Sequence, residues 1–230
     1  ERNQHMPILD KANLDNLTGK FESQLNSAVS LRLFTQNNSE LIIPDRKCDT
    51  CLTTEKILTA ISSISDKLNL EIIDFYKPSD ELSGLKIDRI PATLIGQTGR
   101  AIYYGIPSGY EFSTLVNSII NASRDCQNLS VDTIKNLTEI ENLIKIKVFV
   151  TPSCKYCPEI AELTLSLALQ FSNIQTEIIE IQEYPELANT YNISAVPVTV
   201  INDKIRLAGQ ISSNTLVENI VEIDKDIRIS

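Results

Sequence analysis

The chain has 230 residues, 42% of them hydrophobic, with 7 glycines and 9 prolines scattered along it. That is apolar material for one large domain or two of about 100 residues, and too much for a disordered chain. A formal net charge of −9 repels phosphate backbones and argues against general nucleic-acid binding. No apolar run approaches the roughly 20 residues of a membrane helix, and Glu1–Asp10 lacks a signal peptide's apolar centre.

In chain order, apolar spacing predicts a helix over Leu14–Leu25, a strand over Ala28–Thr35, a helix over Leu52–Leu68 and a strand over Leu70–Tyr76. A short helix is expected over Asp80–Ile87, a hairpin from Pro91–Ile95 and Ala101–Tyr104, and a closing helix over Phe112–Ile120. After a short polar stretch at Asn121–Asp125 the pattern restarts with a helix over Val131–Glu141, a strand over Leu143–Val150, a helix over Cys154–Phe171 and a strand over Ile174–Ile181. The hairpin Pro197–Ile201 with Lys204–Ala208 and a helix over Thr215–Ile223 close the second run.

The two runs are copies. Cys48 and Cys154 lie 106 positions apart, and so do Pro91 and Pro197. Pro91-Ala92-Thr93-Leu94-Ile95 matches Pro197-Val198-Thr199-Val200-Ile201, and Thr114-Leu115-Val116 matches Thr215-Leu216-Val217. Two copies argue for tandem domains rather than a solenoid, which needs at least about three repeats. The expected units are 6–122 and 123–230, each αβαβαββα. The first copy carries nine extra residues within Gln36–Lys47, a loop that either reshapes its site or runs over the surface. Met6 is the only methionine and reads as the native start, with Glu1–His5 foreign to it. His5 is the only histidine, so the native chain is expected to lack the commonest general base and metal ligand.

Four of the five cysteines form two Cys-x-x-Cys pairs, Cys48/Cys51 and Cys154/Cys157. The chain is neither small nor cysteine-dense, which points to the cytoplasm, where such pairs mean redox chemistry or metal binding. Each pair follows a strand and opens a helix. Positions i and i+3 share a helix face, and the helix amino end favours a thiolate, the attacking species. Cys48 and Cys154 are the expected nucleophiles, and Cys51 and Cys157 the more shielded resolving cysteines. No metal and no organic cofactor is required. Lys155 beside Cys154 favours thiolate and Asp49 beside Cys48 opposes it, partly offset by Arg46 and Lys47. Tyr156 completes the second motif. Ile90-Pro91 and Val196-Pro197 are expected to be cis, which hinders metal capture and exposes the Ile90 and Val196 backbone to an extended substrate peptide. Cys126, in the polar junction, reads as a structural thiol.

Thr151-Pro152-Ser153-Cys154-Lys155-Tyr156-Cys157-Pro158 looks like a glutaredoxin active-site segment, and Ala195-Val196-Pro197-Val198 like the cis-proline segment of the thioredoxin superfamily. Tyr104-Gly105-Ile106-Pro107-Ser108-Gly109-Tyr110-Glu111-Phe112 resembles the inter-unit region of the two-unit, glutaredoxin-like protein disulfide oxidoreductases. Those are known mainly from archaea and thermophilic bacteria. The resemblance implies an α/β chain of two tandem thioredoxin-like folds, each a mixed sheet flanked by helices. It implies work on protein disulfides or dithiols with a thioredoxin-reductase-type flavoprotein. Two rival readings stand beside it. One is a four-cysteine metal site, although zinc ribbons separate their pairs by about 15–20 residues. The other is a binding module or redox relay serving a peroxidase such as a peroxiredoxin, as in the amino-terminal module of certain alkyl hydroperoxide reductase flavoproteins.

Overall fold

The computed structural model describes residues 11–36, 48–77, 85, 87–124 and 128–229. Glu1–His5, Met6, Arg46, Lys47, Cys126, most of the expected nine-residue insertion and most of the expected 80–87 helix lie outside them. The elements are α1 (Lys11–Gln24), β1 (Val29–Thr35), α2 (Cys51–Ser62), β2 (Leu68–Asp74), β3 (Ala92–Ile95), β4 (Ala101–Tyr104) and α3 (Glu111–Ser123). The second run contains α4 (Val131–Leu137), β5 (Ile144–Val150), α5 (Cys157–Gln170), β6 (Ile174–Glu180), α6 (Pro185–Thr190), β7 (Val198–Ile201), β8 (Ile205–Ala208) and α7 (Ser213–Ile229).

Three helix boundaries differ from expectation, two through local hydrogen bonds and one through a distant carboxylate. α2 stops at Ser62 because Ser65 starts a turn: its Oγ accepts from Lys67 N–H at 3.3 Å and its carbonyl from Leu68 N–H at 3.0 Å. Strand pairing begins at once, with Leu68 opposite Val29. α4 stops at Leu137 because Asp224 of α7 captures the N–H groups of Glu141 and Asn142, at 3.2 and 2.9 Å. α5 starts at Cys157 rather than Cys154, since Cys154 N–H turns back to Thr151 O at 3.1 Å. Both pairs therefore straddle the helix start. The second cysteine takes the first helical position, and the first lies in the turn before it.

The eight strands of the described residues form one mixed sheet in the order β2-β1-β3-β4-β6-β5-β7-β8. Each copy supplies four neighbouring strands with the same pattern. β1 runs parallel to β2 and antiparallel to β3, as β5 runs parallel to β6 and antiparallel to β7. The copies join where β4 pairs in parallel with β6, Ala101 opposite Thr176 through Tyr104 opposite Ile179. The join shows in composition. Ala-Ile-Tyr-Tyr of β4 is wholly buried, whereas its counterpart Ile-Arg-Leu-Ala in β8, on the free edge, alternates with solvent. Buried on both faces, β4 reads as continuous apolar sequence; half-buried β8 reads with period two.

Alternate strand residues serve two cores. Leu31, Leu33, Tyr103, Ile146 and Val148 face one layer with Phe21, Leu58, Leu115, Leu165 and Leu216 of the helices. Phe34, Leu94, Ile102, Tyr104, Phe149 and Ile179 face the other, with Tyr184 and partly buried Leu187. This arrangement holds both Cys-x-x-Cys turns at the same, carboxyl-terminal end of parallel strands β1 and β5, each directly before a helix.

Candidate active site

Each cysteine pair is bridged within itself, Cys48 to Cys51 and Cys154 to Cys157, with Cα atoms 5.5 Å apart in both. A residue pair spaced i to i+3 across a helix start meets the geometry a disulfide needs. The second cysteine of each pair is buried, 2% exposed for Cys51 and 0% for Cys157. The first is half-exposed in both. The first cysteine of each pair is therefore the one a substrate can reach, and the second is shielded by the helix it opens. The helix amino ends beneath them, with unpaired N–H groups, stabilise negative charge on either sulfur.

Facing each disulfide is a cis proline: Ile90-Pro91 and Val196-Pro197 are both cis. The Ile90 carbonyl oxygen lies 3.7 Å from Cys48 Sγ, and the Val196 carbonyl oxygen 3.9 Å from Cys154 Sγ. The landmarks that repeat at 106 residues in sequence thus meet in space, twice. Strands β3 and β7 begin one residue after each proline, which leaves Ile90 and Val196 outside the ladder. Within the motifs, Asp49 and Lys155 are exposed, and Lys155 Nζ stands 4.9 Å over the Tyr156 ring. Among the described residues, no group of three or more histidine, cysteine or acidic side chains is placed to hold a metal ion.

Sequence reasoning passes over two carboxylates. Glu111 opens α3 and is fully buried. The residue before it, Tyr110, donates its N–H to Pro152 O at 2.9 Å, which ties the start of α3 to the turn that carries Cys154. Burial pushes the Glu111 carboxyl up to about 8, and nearby Glu162 and Glu180 add to the rise. The neighbouring Thr114 hydroxyl pulls the other way, and burial outweighs it. The helix dipole favours an anion here, but burial outweighs it. Glu183 follows β6 in the second copy yet reaches the first site. It accepts a hydrogen bond from the Thr50 hydroxyl, inside the first motif, and another from Ile106 N–H at 2.6 Å. The only sequence signal for Glu111 is its place in the segment Tyr104–Phe112. Glu183 has none, because its partners lie 77 and 133 positions away.

Residues 144–222 match the family described as a thioredoxin domain. The NTD_N/C domain of alkylhydroperoxide reductase from Enterococcus faecalis superposes with a TM-score of 0.81 at 24% identity, covering 92% of this chain and 99% of that one. A protein disulfide oxidoreductase from Aeropyrum pernix gives 0.83 at 23% identity, covering 94% of each chain. An alkyl hydroperoxide reductase of Staphylococcus aureus is 25% identical over 193 residues, 81% of this chain and 34% of its own length. The chain spans about a third of the length of the curated relatives it matches. These likenesses define the class of fold: two tandem thioredoxin folds in an α/β chain. Within that class, the chain has a thiol–disulfide-oxidoreductase-like fold with two Cys-x-x-Cys pairs at disulfide distance.

Proposed function

We propose that the chain is a protein dithiol–disulfide oxidoreductase with one site in each of two units, 6–122 and 123–230. The observation that carries this reading is the double coincidence of a half-exposed cysteine, a buried partner and a facing cis proline. In the reducing direction the Cys48 or Cys154 thiolate attacks one sulfur of a substrate disulfide. The substrate's other sulfur leaves as a thiolate and takes up a proton. Cys51 or Cys157, deprotonated, then attacks the nucleophile's sulfur and releases the second substrate thiolate. Two electrons have passed to the substrate, and the site holds the disulfide seen here. The reverse steps oxidise a substrate dithiol. The uncommitted backbone at Ile90 and Val196 offers an extended substrate strand a place to pair.

The resolving step needs a proton acceptor, because Cys157 is buried and its thiol must ionise. Glu111 is suited to that work at the second site. It is a buried carboxyl beside the Cys154 turn whose affinity for a proton is raised close to working pH.

Insulin-disulfide reduction with dithiothreitol tests the reading. Cys48→Ser with Cys154→Ser in one chain is expected to abolish turnover, and the single changes apportion it between units. An intact, folded chain that fails to reduce insulin sinks it. The sites are expected to differ in reactivity. In the reduced chain, Cys154 beside Lys155 should alkylate with iodoacetamide several-fold faster than Cys48 beside Asp49, read by peptide mass spectrometry after timed quenching. Equal rates remove Lys155 and Asp49 as tuning residues.

A second reading has its own support. The likeness to the alkyl hydroperoxide reductase domain covers nearly all of both chains, which favours a relay that draws electrons from a flavoprotein and delivers them to a peroxiredoxin. A reducing, cytoplasmic setting suits either reading. No described helix is long and apolar enough to cross a membrane.

A further inference from the structure

The two sites are built alike but held differently. Gly105 N–H donates to Pro91 O at 2.9 Å in the first unit, and Gly209 N–H donates to Pro197 O at 2.8 Å in the second. In each, the residue after the last strand is thereby fastened to the cis proline. Among the described residues, only in the first unit does that segment lie against the other unit. There, Glu183 Oε1 accepts from Ile106 N–H, the residue after Gly105, while Oε2 accepts from the Thr50 hydroxyl. Thr50 is the residue that caps α2, between Cys48 and Cys51. One carboxylate therefore bridges the cysteine turn and the segment after β4, which Gly105 fastens to the cis proline. At the second site the position corresponding to Thr50 is Tyr156, which is exposed.

Glu183 is itself held. Its N–H donates to Glu180 Oε2 at 3.1 Å, and the side chain packs close to Gly105, where an added Cβ would stand 2.9 Å from Oε1. Burial raises the affinity of Glu183 for a proton, and its bonds from Thr50 and Ile106 pull the other way. The titratable groups around it are Glu180 on its own turn, Tyr103 from β4 and Tyr184.

We propose that Glu183 is a positioning residue lent by the second unit to the first redox site, where it sets the spacing of the Cys48 turn against Pro91 and places a carboxylate beside that turn. This role rests on the exchange chemistry proposed above and adds a dependence of one site on the other unit. It also means that the first unit alone lacks a part of its own site.

The test uses the full chain with one site silenced. In the Cys154→Ser/Cys157→Ser chain, Glu183→Ala is expected to lower insulin-disulfide turnover by about tenfold, the scale of small misplacements of reacting groups. Glu183→Gln, which keeps the shape and an acceptor for Ile106, should restore most of it. In the Cys48→Ser/Cys51→Ser chain the same Glu183→Ala change should cost far less. The second readout needs no substrate. With Glu183→Gln, the pH at which Cys48 reaches half its maximal alkylation rate should fall, since an anion beside the thiolate has been removed. Equal losses at both sites, or no loss at the first, overturn the inference, as does an unmoved alkylation profile. If the parent chains reduce no insulin at all, the exchange reading fails, and the alkylation profile still decides the role of Glu183.

Discussion

Glu111→Gln is expected to make the protein more stable above neutral pH while slowing exchange at its second site. The carboxyl is held at about 8 in the folded chain and near 4.5 when unfolded. Below the lower value both states are protonated and Glu111 contributes no pH dependence. Between the two values the unfolded chain releases a proton that the folded chain retains, so unfolding becomes easier by about 1.4 kcal/mol per pH unit. Above 8 both are ionised and the penalty is constant. Gln cannot ionise, so the variant escapes this loss, and its advantage should grow from pH 5 to pH 8 and then level off, reaching a few kcal/mol at most. Urea unfolding of the oxidised chain at pH 5, 7 and 9 reads it directly. In the Cys48→Ser/Cys51→Ser chain the same change should lower turnover by about 10²-fold, the lower end of the usual range for a general base, and flatten the pH–rate profile between 6 and 9. A purely structural Glu111 would produce the stability effect without the flattened profile. An advantage that does not grow with pH would show that Glu111 is ionised in the folded chain.

Much of this arrangement is readable in the sequence because it is repeated. Local patterns set most strands: the expected Ala28–Thr35 and Leu143–Val150 fall within a residue of β1 and β5, while the expected Leu70–Tyr76 lies two residues late of β2. The equal spacing of Cys48 to Pro91 and Cys154 to Pro197 foretells that each cysteine faces its proline. What stays hidden comes from contacts between distant segments. The expected helix over Val131–Glu141 is too long because the carboxylate that ends it, Asp224, lies on α7. The merging of two sheets into one is implicit in the apolar Ala101–Tyr104 set against Ile205–Ala208, but the strand that covers β4 is β6, over 70 positions away. Glu111 and Glu183 are ordinary acidic letters until α3 and the β6 turn carry them across the junction. Periodicity reports which way a side chain points. It does not report what another part of the chain brings to meet it.

Gly109→Ala tests how tightly that junction is tied to the second site. Gly109 has φ of +59° and lies just before α3. A Cβ there would stand 2.3 Å from Pro152 O, a backbone atom two residues before Cys154. The same oxygen accepts the Tyr110 N–H, so the turn cannot retreat without breaking the bond that fastens it to α3. Left-handed backbone costs an alanine about 1 kcal/mol or more, and the displaced carbonyl adds to that, for an expected loss of about 2–4 kcal/mol. The loss should appear as a lower urea midpoint and as reduced exchange in the chain that retains only Cys154 and Cys157. The chain that retains only Cys48 and Cys51 should keep most of its turnover at temperatures where the variant is folded. Gly19→Ala is the matched control. Gly19 lies in α1, exposed and with nothing within 4 Å of an added Cβ, so the substitution should stabilise slightly, by about 0.5–1 kcal/mol. If Gly109→Ala behaves like this control, the contact between α3 and the Cys154 turn is not the constraint described, and Glu111 loses its route to the second site.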